Sequence, residues 1–163
     1  MTSPRPTPPF CKLPLPQPEQ AAIDFSYTAY ESCFVGTTKQ YKNLGVVVRN
    51  NGGPWPTYGA TFHHLVTKDQ GSNRTFCPER GRRVHWPADT LDGHSNQILI
   101  FPYKEASSKT RIYFYEQALA YVTILEEYES YYQFITAHPV DSGRAKKLKK
   151  RWEEYEKRQK KGL

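Results

Sequence analysis

No stretch of this sequence approaches the ~18 consecutive apolar residues that a membrane-spanning helix needs, so no span is expected. The N-terminus lacks a basic patch followed by an apolar run, and it is not an Arg-rich amphipathic segment. Neither a secretory signal nor a transit peptide is read there. Cysteine is scarce: Cys11, Cys33 and Cys77 are odd in number and widely spaced. That pattern makes neither a disulfide framework nor a zinc motif, and it reads as reduced thiols in an intracellular protein. Without a secretory route, the glycosylation sequon Asn73-Arg74-Thr75 stays unused. GxGxxG, GxxxxGK[ST], HExxH and GxSxG are all missing. Their absence removes the motif-based case for dinucleotide binding, P-loop nucleotide hydrolysis, zinc proteolysis and α/β-hydrolase chemistry. No cofactor and no metal is expected.

Apolar residues make up only 37% of the 163, and mean hydropathy is −0.76. Part of the chain is therefore expected outside any core. Aromatic residues reach 14%, and each buries a large area, so a core spanning roughly 100–120 residues can still form. Charge is unevenly placed. Residues 1–143 hold 13 Lys and Arg against 13 Asp and Glu, whereas residues 144–163 hold 10 against 3. The net +7 of the protein therefore lies entirely in its last twenty residues.

Seven of the 13 prolines fall within residues 1–20. Proline fixes φ and has no N–H to donate, so this region predicts an extended, mobile arm over 1–22, with a PxxP spacing at Pro6–Pro9. The folded domain is expected over 23–139. Leu44, Val46 and Val48 alternate within Gln40–Asn50, which predicts a strand. Asn50-Asn51-Gly52-Gly53 suits a turn, and Tyr58–Thr67 reads as the returning strand. A short strand is expected at Arg82–Trp86. The apolar run Ile98–Phe101 predicts another over Gln97–Tyr103, buried on both faces. From Lys109 to His138, Phe114, Ala118, Tyr121, Leu125, Tyr128, Tyr132 and Ile135 recur at alternating steps of four and three, which predicts one long amphipathic helix. Asp141 or Ser142 can cap a second, basic helix over 140–163. The fold class is thus α+β: a small antiparallel sheet of about four strands packed by a long helix, plus a basic C-terminal helix.

Candidate chemistry divides into binding and catalysis. Arg144, Lys146, Lys147, Lys149, Lys150 and Arg151 place six cations within eight residues, followed by Trp152, Lys157, Arg158, Lys160 and Lys161. Cations neutralise phosphates and release counterions, and aromatics stack on unpaired bases. A second basic cluster is Arg80, Arg82 and Arg83. These residues are the candidate nucleic-acid contacts, with an acidic protein surface as the other possible partner. Leu148, Trp152 and Tyr155 form only a thin apolar stripe. The tail is therefore predicted to be partly helical and mobile until an anionic partner orders it. Tyr128, Tyr131, Tyr132 and Ile135, on the far half of the predicted helix, are the candidate interface with other protein subunits.

For catalysis, His63, His64, Asp69, Asn73, Glu79, His85 and His94 gather in one region and resemble the ingredients of a small metal-dependent nuclease. Adjacent histidines on a strand point to opposite faces, so His63 and His64 are not expected to share a site. The sequence therefore favours a non-enzymatic binding protein within a nucleoprotein assembly. An adaptor that uses the Pro-rich arm and the aromatic helix is the first alternative, and the nuclease is the second.

Overall fold

Four strands in succession dominate the C-terminal half: β5 (Ile98–Lys104), β6 (Thr110–Glu116), β7 (Tyr121–Glu127) and β8 (Tyr132–Pro139). They form an antiparallel meander in the computed structural model, which describes residues 8–162. Before them come α1 (Glu19–Phe34), β1 (Lys39–Tyr41), β2 (Leu44–Val47), α2 (Ala60–Val66), β3 (Thr67–Gln70), β4 (Asn73–Phe76), α3 (Pro78–Gly81) and α4 (Trp86–Leu91). Helix α5 (Ser142–Lys160) follows. The main sheet runs β1-β2-β8-β7-β6-β5, with β2 parallel to β8 and every other pair antiparallel. β3 and β4 make a separate hairpin.

The α+β class stands, with six strands in the main sheet rather than about four. The long helix expected over 109–138 is instead three strands. Strands β6, β7 and β8 begin at residues 110, 121 and 132, so the hairpins repeat every 11 residues. Eleven residues are also three helical turns at ~3.67 per turn, so a meander with this repeat imitates a helical stripe. Composition points the other way: Thr110, Ile112, Tyr113, Phe114, Tyr115, Val122, Thr123 and Ile124 are β-branched or aromatic. Alternation then assigns faces. Ile112 and Phe114 enter one apolar cluster, while Tyr113 and Tyr115 enter the other.

Three shorter expectations also change. Gln40–Asn50 is not one strand, because Lys42 and Asn43 both adopt positive φ and turn the chain between β1 and β2. Tyr58–Thr67 folds as helix α2, in which Phe62, Leu65 and Val66 are buried at helical spacing. Arg82–His85 form the turn between α3 and α4, and Trp86 opens α4. The strand near Gln97–Tyr103 is present as β5, but it lies at the sheet edge, where Ile100 is 41% exposed. Within the proposed arm, residues 1–7 lie outside the described residues. Beyond them the segment is largely exposed but anchored: Leu13 is buried, its N–H donates to the Arg82 carbonyl, and α1 begins at Glu19.

Helices cover both faces of the sheet. The larger cluster joins Ile23, Tyr30 and Phe34 of α1 and Phe62 and Leu65 of α2 to Phe114, Leu125 and Phe134. On the opposite face, Phe101, Tyr113, Val122 and Ile124 receive Leu148 of α5, which is 0% exposed. Trp152 and Tyr155 pack beside them. The C-terminal helix is therefore seated on the sheet through this stripe. Its N-cap is Asp141, one of the two caps that the sequence offers, and its Oδ1 accepts from the Arg144 N–H at 2.8 Å.

Candidate nucleic-acid interface

Helix α2 sets the geometry of the site. Gly59 precedes it with φ 90° and ψ 162°, a backbone region open to glycine almost alone. A Cβ at Gly59 would lie 2.5 Å from the Asn50 carbonyl carbon, so the chain can make this close approach only with glycine. The loop after β2 is tied to the start of α2 by two hydrogen bonds. The Thr61 N–H donates to the Arg49 carbonyl at 2.9 Å, and the Arg49 N–H donates to Thr61 Oγ1 at 2.7 Å. Arg49 is thereby held at the rim of a cleft of about 380 Å³. His63, His64, Thr61, Arg74 and Gln133 line it, together with Pro54, Ala60, Phe134 and Ile135. No carboxylate lines it among the described residues.

Because α2 is a helix and not a strand, His63 and His64 both reach this one cleft. Arg74, on β4, is fixed from several sides. Its Nε donates to Thr67 Oγ1 at 3.0 Å, and its Nη2 donates to the carbonyls of His64 and Thr67 at 3.2 and 2.7 Å. Its Nη1 pairs with Asp69 Oδ1 at 3.0 Å. The His63 ring meets Trp55 edge-on, with centroids 4.7 Å apart. Gln133 is held by donation from its Nε2 to the Val47 carbonyl at 3.1 Å.

This environment disfavours cations on the rings. Burial, with the Arg74 charge added, pushes His63 below its ordinary range. Burial does most to lower His64, to about 4, and the charges of Arg74, Arg80, His63 and His138 lower it further. His138, on β8, is also lowered, first by burial and then by Arg80 and Arg144. Its Nδ1 lies 2.8 Å from the Pro139 carbonyl, which makes Nδ1–H the donor and leaves Nε2 as an acceptor. At neutral pH the cleft thus offers guanidinium charge beside neutral imidazoles.

The other residues of the histidine-rich region lie elsewhere. His85 is fully buried, with Nε2 3.7 Å from Cys11 Sγ and 4.0 Å from Asp89 Oδ2. Asn73 and His94 are exposed, and Asp69 and Glu79 hold arginines. Among the described residues no group of three or more His, Cys, Asp and Glu converges to hold a metal ion.

The basic clusters separate by role. Arg82 and Arg83 both grip the Glu79 carboxylate, and Arg83 lies over the Trp86 ring. Arg80 Nη1 donates to the Thr67 carbonyl at 2.8 Å. On α5, Lys146, Lys147, Lys149, Lys150, Lys157, Arg158 and Lys160 are exposed, as is its C-cap Lys161, while Arg144, Arg151 and Trp152 are half-buried. Tyr128, Tyr131, Tyr132 and Ile135 share no helix face. Tyr128 and Tyr131 flank the β7–β8 turn with rings stacked 4.8 Å apart, Tyr132 is buried in the larger cluster, and Ile135 packs beside the smaller one. Sequence reasoning missed Arg49, Arg74, Thr61 and Gln133, which only the fold brings together. A signal for α2 did exist: Gly59 followed by Phe62, Leu65 and Val66 at helical spacing.

No family model, curated protein or solved structure matches the chain. No helix among the described residues is long and apolar enough to cross a membrane.

Proposed function

We propose that the protein binds single-stranded nucleic acid, with a backbone phosphate in the cleft between α2 and β8. One observation carries this reading: Arg49, Arg74, His63 and His64 line a single concave surface with no carboxylate among its described walls. Guanidinium groups suit phosphate oxygens because their planar fork gives parallel hydrogen bonds. The exposed lysines of α5 add long-range, salt-dependent attraction to the same polyanion. In this reading the tail steers and the cleft holds. The test is oligonucleotide affinity across a salt series for Arg49→Gln and for a triple Lys147→Gln, Lys149→Gln, Lys150→Gln variant. Both should weaken binding and flatten the salt slope. Unchanged affinity in both would end the reading.

The convergence of two histidines favours a second reading, in which the bound strand is RNA and is cleaved. A neutral ring can take the proton of a ribose 2′-hydroxyl as that oxygen attacks the adjacent phosphorus. The bond from phosphorus to the 5′-oxygen then breaks, and that oxygen receives a proton from the second ring, which the bound phosphate anion must first bring to its protonated form against the burial that keeps the free ring neutral. The products are a 2′,3′-cyclic phosphate and a 5′-hydroxyl. Arg49 and Arg74 would stabilise the charge that builds on the phosphorane oxygens. Cyclic-phosphate ends formed in the presence of EDTA, and lost in both His63→Gln and His64→Gln, would support it. Binding without such products would leave the first reading alone.

A further inference from the structure

A second basic recess of about 400 Å³ lies where β8 hands over to α5. Arg80, His138, Pro139, Val140, Asp141 and Arg144 line it. It neighbours the cleft electrostatically, because the charges of Arg80 and His138 both act on His64. The recess and the cleft lie along one strand: Gln133 and Phe134 of β8 line the cleft, and His138 and Pro139 line the recess. Ile135 also lines the cleft and lies three residues from His138, on the order of 10 Å at ~3.4 Å per residue.

We propose that this recess is a second phosphate subsite, and that it takes a neighbouring phosphate of the strand whose first phosphate sits beside Arg49 and His64. The inference rests on the nucleic-acid reading above.

Four features of the recess support it. Two guanidinium groups, from Arg80 and Arg144, face one carboxylate, that of Asp141. That carboxylate is already turned to cap α5, where its Oδ1 accepts from the Arg144 N–H. Arg144 Nε is buried and meets no hydrogen-bond partner among the described residues, which is costly unless a ligand oxygen supplies the bond. Arg80 keeps part of its fork available, since among the described residues only its Nη1 is engaged, with the Thr67 carbonyl. The His138 ring, fixed by its contact with the Pro139 carbonyl, lines the recess with the two arginines, whose charges both act on it, and adds a partner that strengthens as it gains a proton.

The experiment uses the full chain and two probes: a 3′-mononucleotide and a trinucleotide of non-cleavable 2′-O-methyl RNA. Arg144→Gln should weaken the trinucleotide about tenfold and leave the mononucleotide unchanged. It should also lower the salt slope by about one, as expected for one lost phosphate contact. Arg144→Lys, which restores the charge, should recover part of the affinity, and His138→Gln should reproduce the selective loss. Equal loss for both probes, or no loss for either, would overturn the subsite. If Arg49→Gln weakens both probes while Arg144→Gln weakens neither, the subsite fails and the cleft stands. If neither variant weakens either probe, the nucleic-acid reading itself fails.

Discussion

The Arg151 guanidinium lies 3.7 Å from the centre of the Tyr103 ring. It also lies 5.6 Å from the ring of Tyr113 and reaches the Tyr113 hydroxyl at 3.4 Å. A cation in the middle of the basic run is thus committed to holding α5 against β5 and β6. A cation over an aromatic face contributes about 0.5–2 kcal/mol, depending on how dry the contact is. Leu148 contributes more, because it is fully buried between Tyr113, Val122 and Ile124.

Leu148→Ala should therefore destabilise the whole protein by about 2–5 kcal/mol. Lys147→Gln, one residue away and exposed, should change stability by less than about 0.5 kcal/mol. Urea unfolding of both variants checks this. Amide exchange should be slow across 148–152 in the free protein. Fast exchange there would show a tail that orders only on binding.

The turn into α2 allows a sharper comparison. Gly59→Ala should cost at least about 2 kcal/mol, because it combines a backbone region of ~1–3 kcal/mol strain with a contact to Asn50 that cannot give way. Gly71→Ala also has positive φ but nothing within 4 Å, so it should cost only about 1 kcal/mol. Equal midpoints for the two variants would contradict the close approach at Asn50.

Stability should fall in mild acid. The folded value of His64, about 4, is below its ordinary 6.5. The unfolded chain therefore binds the proton first, and stability is full above pH 6.5 and declines as pH falls towards 4. The lowered values of His63 and His138 act in the same direction. His64 is partly solvent-exposed, so its own share is on the order of 1–2 kcal/mol. Denaturant midpoints measured between pH 7 and 4 should drop less steeply in His64→Gln than in the unsubstituted protein.

The elements legible in the sequence were those whose signal is local. Asp141 and the run of helix-forming cations specify α5, and the apolar stretch Ile98–Phe101 specifies a strand. Where periodicity was ambiguous, the reading failed. An 11-residue hairpin repeat fits three helical turns, and only the β-branched and aromatic content of 110–136 separates the two. The site was less legible still. His63 and His64 were visible as residues, but their shared cleft depends on α2 being a helix. Arg49, Arg74 and Gln133 come from three other segments, brought together by Thr61, Thr67 and Val47 through hydrogen bonds that no sequence pattern encodes.

The most direct test of the phosphate-binding cleft is ring NMR of His63 and His64 during titration with a non-cleavable RNA trinucleotide. The account predicts that both rings shift with saturation, and that the His64 value rises as the phosphate anion favours its protonated form. Saturable shifts confined to the lysines of α5, with both rings unmoved, would contradict it.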